Sequence, residues 1–202
     1  MAYTTIDDPS AHFQVKIYEG TSGIHNVTLD GNSDMQPDLV WLKNRDVAYV
    51  PHMYDSNRGT TKALYPSGTN AEATITNGLT QFQTDGFRVT SAAAVNEDSM
   101  VCWCWKANGG TTSSNTDGDL TSTVQFNSTA KFSIITYTGK DPIEPLDIGH
   151  GMGEAPDVVW VKNRDRSITC LICFVLFGGV LSDQDLCLEK CSRVFKVWKV
   201  CR

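Results

Sequence analysis

Pro37-Asp-Leu-Val-Trp-Leu-Lys-Asn-Arg-Asp46 returns as Pro156-Asp-Val-Val-Trp-Val-Lys-Asn-Arg-Asp165. Adjacent apolar positions ending in a polar cluster are the pattern of a strand closed by a turn. The match extends outward without a gap over residues 13–46 and 132–165. Phe13, Tyr18, Gly20 and Ile24 recur as Phe132, Tyr137, Gly139 and Ile143. A repeated segment of this kind suggests a module that displays a surface, whereas an enzyme needs one unique site. Trp41 and Trp160 are expected in the core, as large aromatics in apolar strands. Lys43-Asn-Arg-Asp46 and Lys162-Asn-Arg-Asp165 are expected as structural turns, with Asn or Asp bonding the local backbone and Arg paired to an acid. A ligand-binding loop, with Arg reaching a carboxylate or phosphate, is the alternative.

Strand signals continue on both sides of the motif. Phe13-Gln-Val-Lys-Ile-Tyr18 alternates apolar and polar, the period of a half-buried strand, and Phe132-Ser-Ile-Ile-Thr-Tyr137 repeats it. Val27-Thr-Leu29, the segments around Phe82, Phe87 and Val89, and Met100-Val-Cys-Trp-Cys-Trp-Lys106 are further candidates. Asp30-Gly31, Asn77-Gly78, Asp85-Gly86, Asn108-Gly109 and Asp117-Gly118 punctuate them as turns. Ala71-Glu-Ala-Thr-Ile-Thr-Asn77 allows one helical turn, but no stretch before residue 166 sustains helical periodicity. Short strands between such turns predict an all-β fold, a sandwich or a barrel, and an antiparallel β-sandwich is the expected form. The expected organisation is a complete module over 1–108, a polar linker over 109–118 and a partial second module over 119–165. From 166 to 202 the chain reads as a divergent tail. The repeat and the composition break together there, which favours a reading-frame shift in the gene over a genuine tail.

Composition bounds the function. The chain has 202 residues and a formal charge of -6, without a concentrated basic run. A nucleic-acid partner, which needs a Lys/Arg footprint, is not expected. The amino terminus lacks a basic and an apolar region, so no secretory signal is expected. The longest apolar run, Leu171 to Leu181, is short of the roughly 20 residues of a spanning helix, and membrane insertion is not expected. Seven cysteines, five of them after residue 166, are an odd count without a secretory signal, and a disulfide framework is not expected. Cys170, Cys173, Cys187 and Cys191 only loosely imitate zinc spacing, and the four histidines are dispersed, so neither a metal nor a cofactor is expected. No nucleophile elbow, phosphate loop or metalloprotease motif is present, and no catalytic residue is assigned. Asp7/Asp8 and Glu97/Asp98 are adjacent carboxylates whose side chains diverge on extended backbone.

Binding residues are the better candidates. Trp103 and Trp105 share one strand face, with Cys102 and Cys104 opposite, and such a face stacks on sugar rings when it is not packed internally. Tyr54, Asp55, Asn57 and Arg58 fall in the polar loop Tyr54-Asp-Ser-Asn-Arg-Gly59, which holds the groups that grip sugar hydroxyls.

Several stretches together resemble a family of marine phage proteins. They are Met1-Ala-Tyr-Thr-Thr-Ile-Asp-Asp-Pro-Ser-Ala-His-Phe-Gln14, Gly31-Asn-Ser-Asp-Met-Gln-Pro-Asp-Leu-Val-Trp41, Tyr54-Asp-Ser-Asn-Arg-Gly59, Thr84-Asp-Gly-Phe87, Trp103-Cys-Trp-Lys-Ala107 and Gly149-His-Gly-Met-Gly-Glu-Ala-Pro-Asp157. The resemblance covers roughly residues 1–165 and departs after Asp165. It implies a β-rich, lectin-like virion protein of the tail-fibre or tail-tip kind, without established catalytic residues. The expected location is the virion, after synthesis in the host cytoplasm. Expected partners are other virion proteins, a host cell-surface glycan and further copies of the chain, as in trimeric fibres. A non-adsorbing role, as capsid decoration or tail collar, is the alternative. A glycan depolymerase ranks last.

Overall fold

The computed structural model describes residues 6–140, 146–168 and 171–174, the last as backbone. It is an all-β structure of antiparallel sheets. The strands are β1 (Phe13–Glu19), β2 (His25–Val27), β3 (Leu39–Asn44), β4 (His52–Asp55), β5 (Lys62–Ala63), β6 (Ala73–Thr74), β7 (Leu79–Gln83), β8 (Gly86–Val89), β9 (Ser99–Trp105), β10 (Ser113–Asn115), β11 (Ser122–Asn127), β12 (Phe132–Tyr137), β13 (Val158–Val161) and β14 (Leu171–Phe174). One turn of α-helix, Ala93–Asn96, precedes β9, and a 3-10 turn, Pro9–Ala11, precedes β1. The stretch 71–77, which allowed a helical turn, instead holds β6; the short helix falls on Ala93–Asn96, which carries no capping side chain.

The main sheet has the order β1-β9-β3-β4, and a second sheet has the order β2-β8-β7. The core lies between them. Val40 and Leu42 of β3, Met100, Cys102 and Cys104 of β9, and Tyr18 of β1 meet Val27, Leu79, Phe87 and Val89 of the second sheet. Each large side chain buried here contributes about 1.5–3 kcal/mol of hydrophobic stabilisation. The β7–β8 hairpin closes at Thr84–Asp85 with Gln83 opposite Gly86. Gly86 has φ +110° and lies against the Val27 carbonyl, where no Cβ fits, so both conformation and space require glycine.

β9 is the central strand. It pairs on one side with β1 (Val15 opposite Trp103) and on the other with β3 (Trp41 opposite Trp103). Strand alternation then assigns two faces. Cys102 and Cys104 point into the core, with sulfurs 3.8 Å apart, and burial pushes the Cys104 thiol up. Trp103 and Trp105 point the other way.

Here the structure corrects two expectations. The alternation of β1 is real, but its apolar stripe faces outward. Phe13, Val15 and Ile17 are 38, 46 and 56% exposed, while Gln14 and Tyr18 are buried. Gln14 is accommodated because its amide donates to the Ser10 and Ser33 carbonyls and accepts from Gly31 N–H, and the Tyr18 hydroxyl donates to the Val95 carbonyl at 2.6 Å. Trp41 likewise lies outside the sandwich core. It packs on the outer face of the main sheet against Trp103 (ring centroids 5.5 Å) and Trp160 (5.3 Å).

The second-copy strands do not rebuild the first sheet. β12, the counterpart of β1, pairs with β11 in the sheet β10-β11-β12, whereas β13, the counterpart of β3, pairs with β14. Residues 109–118, expected as a linker, contain β10 and so form part of that sheet. The expected divergent or frame-shifted tail, with Cys170, Cys187 and Cys191, lies outside the described residues except for 166–168 and the backbone of β14.

Candidate functional site

The Pro-Asp motif organises one corner of the first module. Asp38 is fully buried at the start of β3. Its Oδ2 accepts from Ala107 N–H (2.7 Å) and Gly109 N–H (2.8 Å), and its Oδ1 accepts from Gly110 N–H and Ser56 Oγ (both 2.6 Å). Gly109 and Gly110 adopt φ +59° and +80°, which turns successive N–H groups onto one carboxylate. Gln125 of β11 completes the corner. In the amide orientation that complements its neighbours, its nitrogen donates to Asp38 Oδ1 at 3.1 Å and its oxygen accepts from Asn57 N–H at 3.0 Å. The carboxylate therefore ties β3, the 107–110 loop, the Ser56 loop and the second-copy sheet together.

The polar loop after β4 is also spent internally. Tyr54 is wholly buried, and burial raises its hydroxyl pKa. Asp55 accepts from the backbone and side chain of Arg58. Arg58, whose side chain is 2% exposed, also donates to the Lys62 carbonyl, Glu72 (2.9 Å) and the Met53 carbonyl. Asn57 donates to the Thr123 and Ile134 carbonyls and to Thr136 Oγ1. Each of these sequence-nominated side chains thus binds protein groups.

Trp103 and Trp105 do share one face, as their spacing predicts. That face is half-buried. Trp105 lies between Phe13 (4.9 Å) and Phe132 (6.4 Å, stacked), the same residue of the two copies. Trp103 is covered by Trp41.

A shallow polar groove lies elsewhere. An open groove is lined by Thr121, Ser122 and Thr123 at the start of β11, by Thr136, Tyr137 and Thr138 at the end of β12, and by Arg164. The strand register places Ser122 opposite Tyr137 and Thr123 opposite Thr136, so the hydroxyl-bearing side chains gather at one end of the hairpin. Arg164 is held by Glu72, whose Oε2 accepts from Nε at 2.7 Å and whose Oε1 accepts from Nη2 at 3.0 Å. Glu72 N–H also donates to the Arg164 carbonyl. Burial alone would raise the Glu72 pKa, but hydrogen bonds from Arg164 and Arg58 outweigh it and hold the carboxyl below the usual range.

The sequence nominated none of the groove's threonines, because isolated Thr residues in strands carry no motif. The run Ser122-Thr-Val-Gln-Phe-Asn127 facing Phe132-Ser-Ile-Ile-Thr-Tyr137 was the available signal, as two polar-faced strands joined by a short loop. Among the described residues no three His, Cys, Asp or Glu side chains come together as a metal site.

No curated protein and no solved structure matches the chain. A family model, described as domain of unknown function DUF7483, matches residues 8–194. That span begins before β1 and continues past the second motif, and the chain belongs to the DUF7483 family.

Proposed function

We propose that this chain is a virion structural protein of a phage, of the tail-fibre or tail-tip kind, and that it binds host-surface glycan without turning it over. The observation that carries the reading is the groove of Thr121, Ser122, Thr123, Thr136, Tyr137, Thr138 and Arg164. Hydroxyls that both donate and accept, one aromatic ring and one guanidinium are the groups that match a saccharide's hydroxyls and ring faces. The phage assignment is supported by the resemblance over residues 1–165. The glycan contact is assigned to this groove because Thr121, Thr123 and Thr138 are exposed on it. By contrast, Tyr54 and Asp55 are buried, Arg58 and the Asn57 amide nitrogen are spent on protein acceptors, and Trp103 and Trp105 are half-buried against other rings.

The test is a glycan array probed with the folded full chain. Binding to host envelope saccharides is expected. Thr121→Val and Thr138→Val, both at exposed positions, should weaken it about tenfold together, the cost of roughly 1.4 kcal/mol of lost hydrogen bonding. An array silent with folded protein would sink the reading.

A second reading has its own observation. The outward apolar stripe of β1 suits assembly more than sugar binding, as for a capsid decoration or tail collar protein. Virions lacking the protein would then adsorb normally.

A further inference from the structure

The outer face of the main sheet is apolar almost throughout. Its cross-strand rows read Phe13–Trp105–Leu39, Val15–Trp103–Trp41 and Ile17–Val101–Lys43. The chain covers one side of this face itself: Trp160 sits on Trp41 and Phe132 sits on Trp105. The β1 side is not covered by any described residue to the same degree. Phe13, Val15 and Ile17 remain 38, 46 and 56% exposed.

The internal repeat shows what this stripe does where it is covered. Phe132, Ile134 and Thr136 are the second-copy counterparts of Phe13, Val15 and Ile17. They share one face of β12, and that face is seated on the first module. Phe132 stacks on Trp105, Ile134 is only 9% exposed, and Asn57 reaches the Ile134 carbonyl and Thr136 Oγ1. On the same face of the hairpin, Gln125 meets Ser56, and Asn127 binds His12 and the Lys106 carbonyl. The stripe is thus a module-docking surface in one copy and an open surface in the other.

We propose that Phe13, Val15 and Ile17 form the contact through which two copies of this chain associate, stripe against stripe about a two-fold axis. The interface continues the one already made by Trp41, Trp103, Trp105, Phe132 and Trp160. A two-fold arrangement is favoured because the surface that receives the second-copy stripe is already occupied within each chain, whereas two open stripes complement each other and close. Burying this apolar surface supplies the driving force, and the aromatic rings extend it.

The experiment uses the full chain in sedimentation velocity over a concentration series. The expected species has twice the 22.2 kDa monomer mass. Val15→Glu and Ile17→Glu, at exposed positions, should each shift it to monomer with unchanged circular dichroism. A photo-crosslinking residue at position 13 supplies an independent readout in an otherwise wild-type chain, and should give a stripe-to-stripe intermolecular link. A wild-type monomer at tens of micromolar would overturn the proposal. So would a dimer indifferent to both substitutions, or a position-13 crosslink only to residues 175–202 of the same chain. Glycan binding is read separately by array, so failure here and failure of the groove reading are distinguishable.

Discussion

The two copies of the Pro-Asp-x-Val-Trp-x-Lys-Asn-Arg-Asp motif share a local conformation but not an environment. Asn44 Oδ1 accepts from the N–H groups of Asp46 (2.9 Å) and Val47 (2.7 Å), and Asn163 Oδ1 accepts from those of Asp165 (2.9 Å) and Arg166 (2.8 Å). The lysine caps its turn in both: Lys43 Nζ donates to the Val47 carbonyl, and Lys162 Nζ donates to the Ile168 carbonyl. Beyond the turn the copies diverge. Asp38 is fully buried and meets several donors, while Asp157 is exposed. Val40 is fully buried in the sandwich, while its counterpart Val159 is half-buried in a two-stranded sheet. The difference follows from β9. In the first copy that strand joins β1 to β3; among the described residues none joins β12 to β13. Turn chemistry travels with ten residues, whereas burial requires the partner strand.

The comparison is broken most directly at the aspartates. Asp38→Ala strands buried N–H groups of Ala107, Gly109 and Gly110, and should cost about 3–5 kcal/mol in urea unfolding. Asp157→Ala should stay within about 0.5 kcal/mol. Equal costs would mean that the second copy is buried as the first is.

Next is a pH effect specific to the first copy. His52 of β4 is buried beside Tyr54 and Tyr65, and burial lowers its pKa from 6.5 to about 4. The fold keeps the ring neutral while the unfolded chain takes up a proton. Stability is therefore complete above 6.5 and falls as the pH drops toward 4, by about 3 kcal/mol. His52→Gln should flatten that slope. Leu171 stands at the matching position of the second copy and cannot titrate.

The asparagines should separate by less. Asn44 also donates to the Glu97 carbonyl at 2.6 Å, so Asn44→Ala should cost about 2 kcal/mol against about 0.5–1 for Asn163→Ala. Thermal unfolding of the pair measures the part of the motif that is purely local.

The smallest effect concerns the joint between copies. Glu72 is held ionised by Arg164 and Arg58, so its contribution is present above its ordinary value of 4.5 and is lost as pH falls through the lower folded value. Tryptophan emission from the Trp41–Trp160 contact should red-shift in that window. Glu72→Gln should show no such transition; an unchanged acid shift in that variant would remove Glu72 from the joint.

Strand positions and turn chemistry were legible because period-2 alternation and Asn/Asp/Gly signals are local. Sidedness was not. Phe13-Gln-Val-Lys-Ile-Tyr18 reports an alternation but not which phase faces the core, and here the main sheet has apolar neighbours on both faces. Trp41 was misplaced for the same reason. Cys102 and Cys104 could be set opposite Trp103 and Trp105 from spacing alone, since that statement needs no knowledge of the partner sheet. The candidate groove was illegible because it is assembled from strand ends and from Arg164, and the pairing that unites them is tertiary. Arg58 read as a binding residue because a sequence does not reveal that Glu72 waits 14 residues away.

The position of β9 has a kinetic consequence. β1 and β3 are made early, and β3 can pair at once with β4, yet β1 finds its main-sheet neighbour, and β3 its second, only when residues 99–105 exist. Until then, β1 with its apolar stripe has no ladder in the main sheet, and β3 is held along one edge only. Pairing across such sequence separation makes closure of the main sheet late and slow, with strand edges open to other chains meanwhile. During synthesis the protein is most prone to aggregate just before Trp105 emerges, and a substitution in β9 should lower soluble yield more than its effect on final stability would suggest.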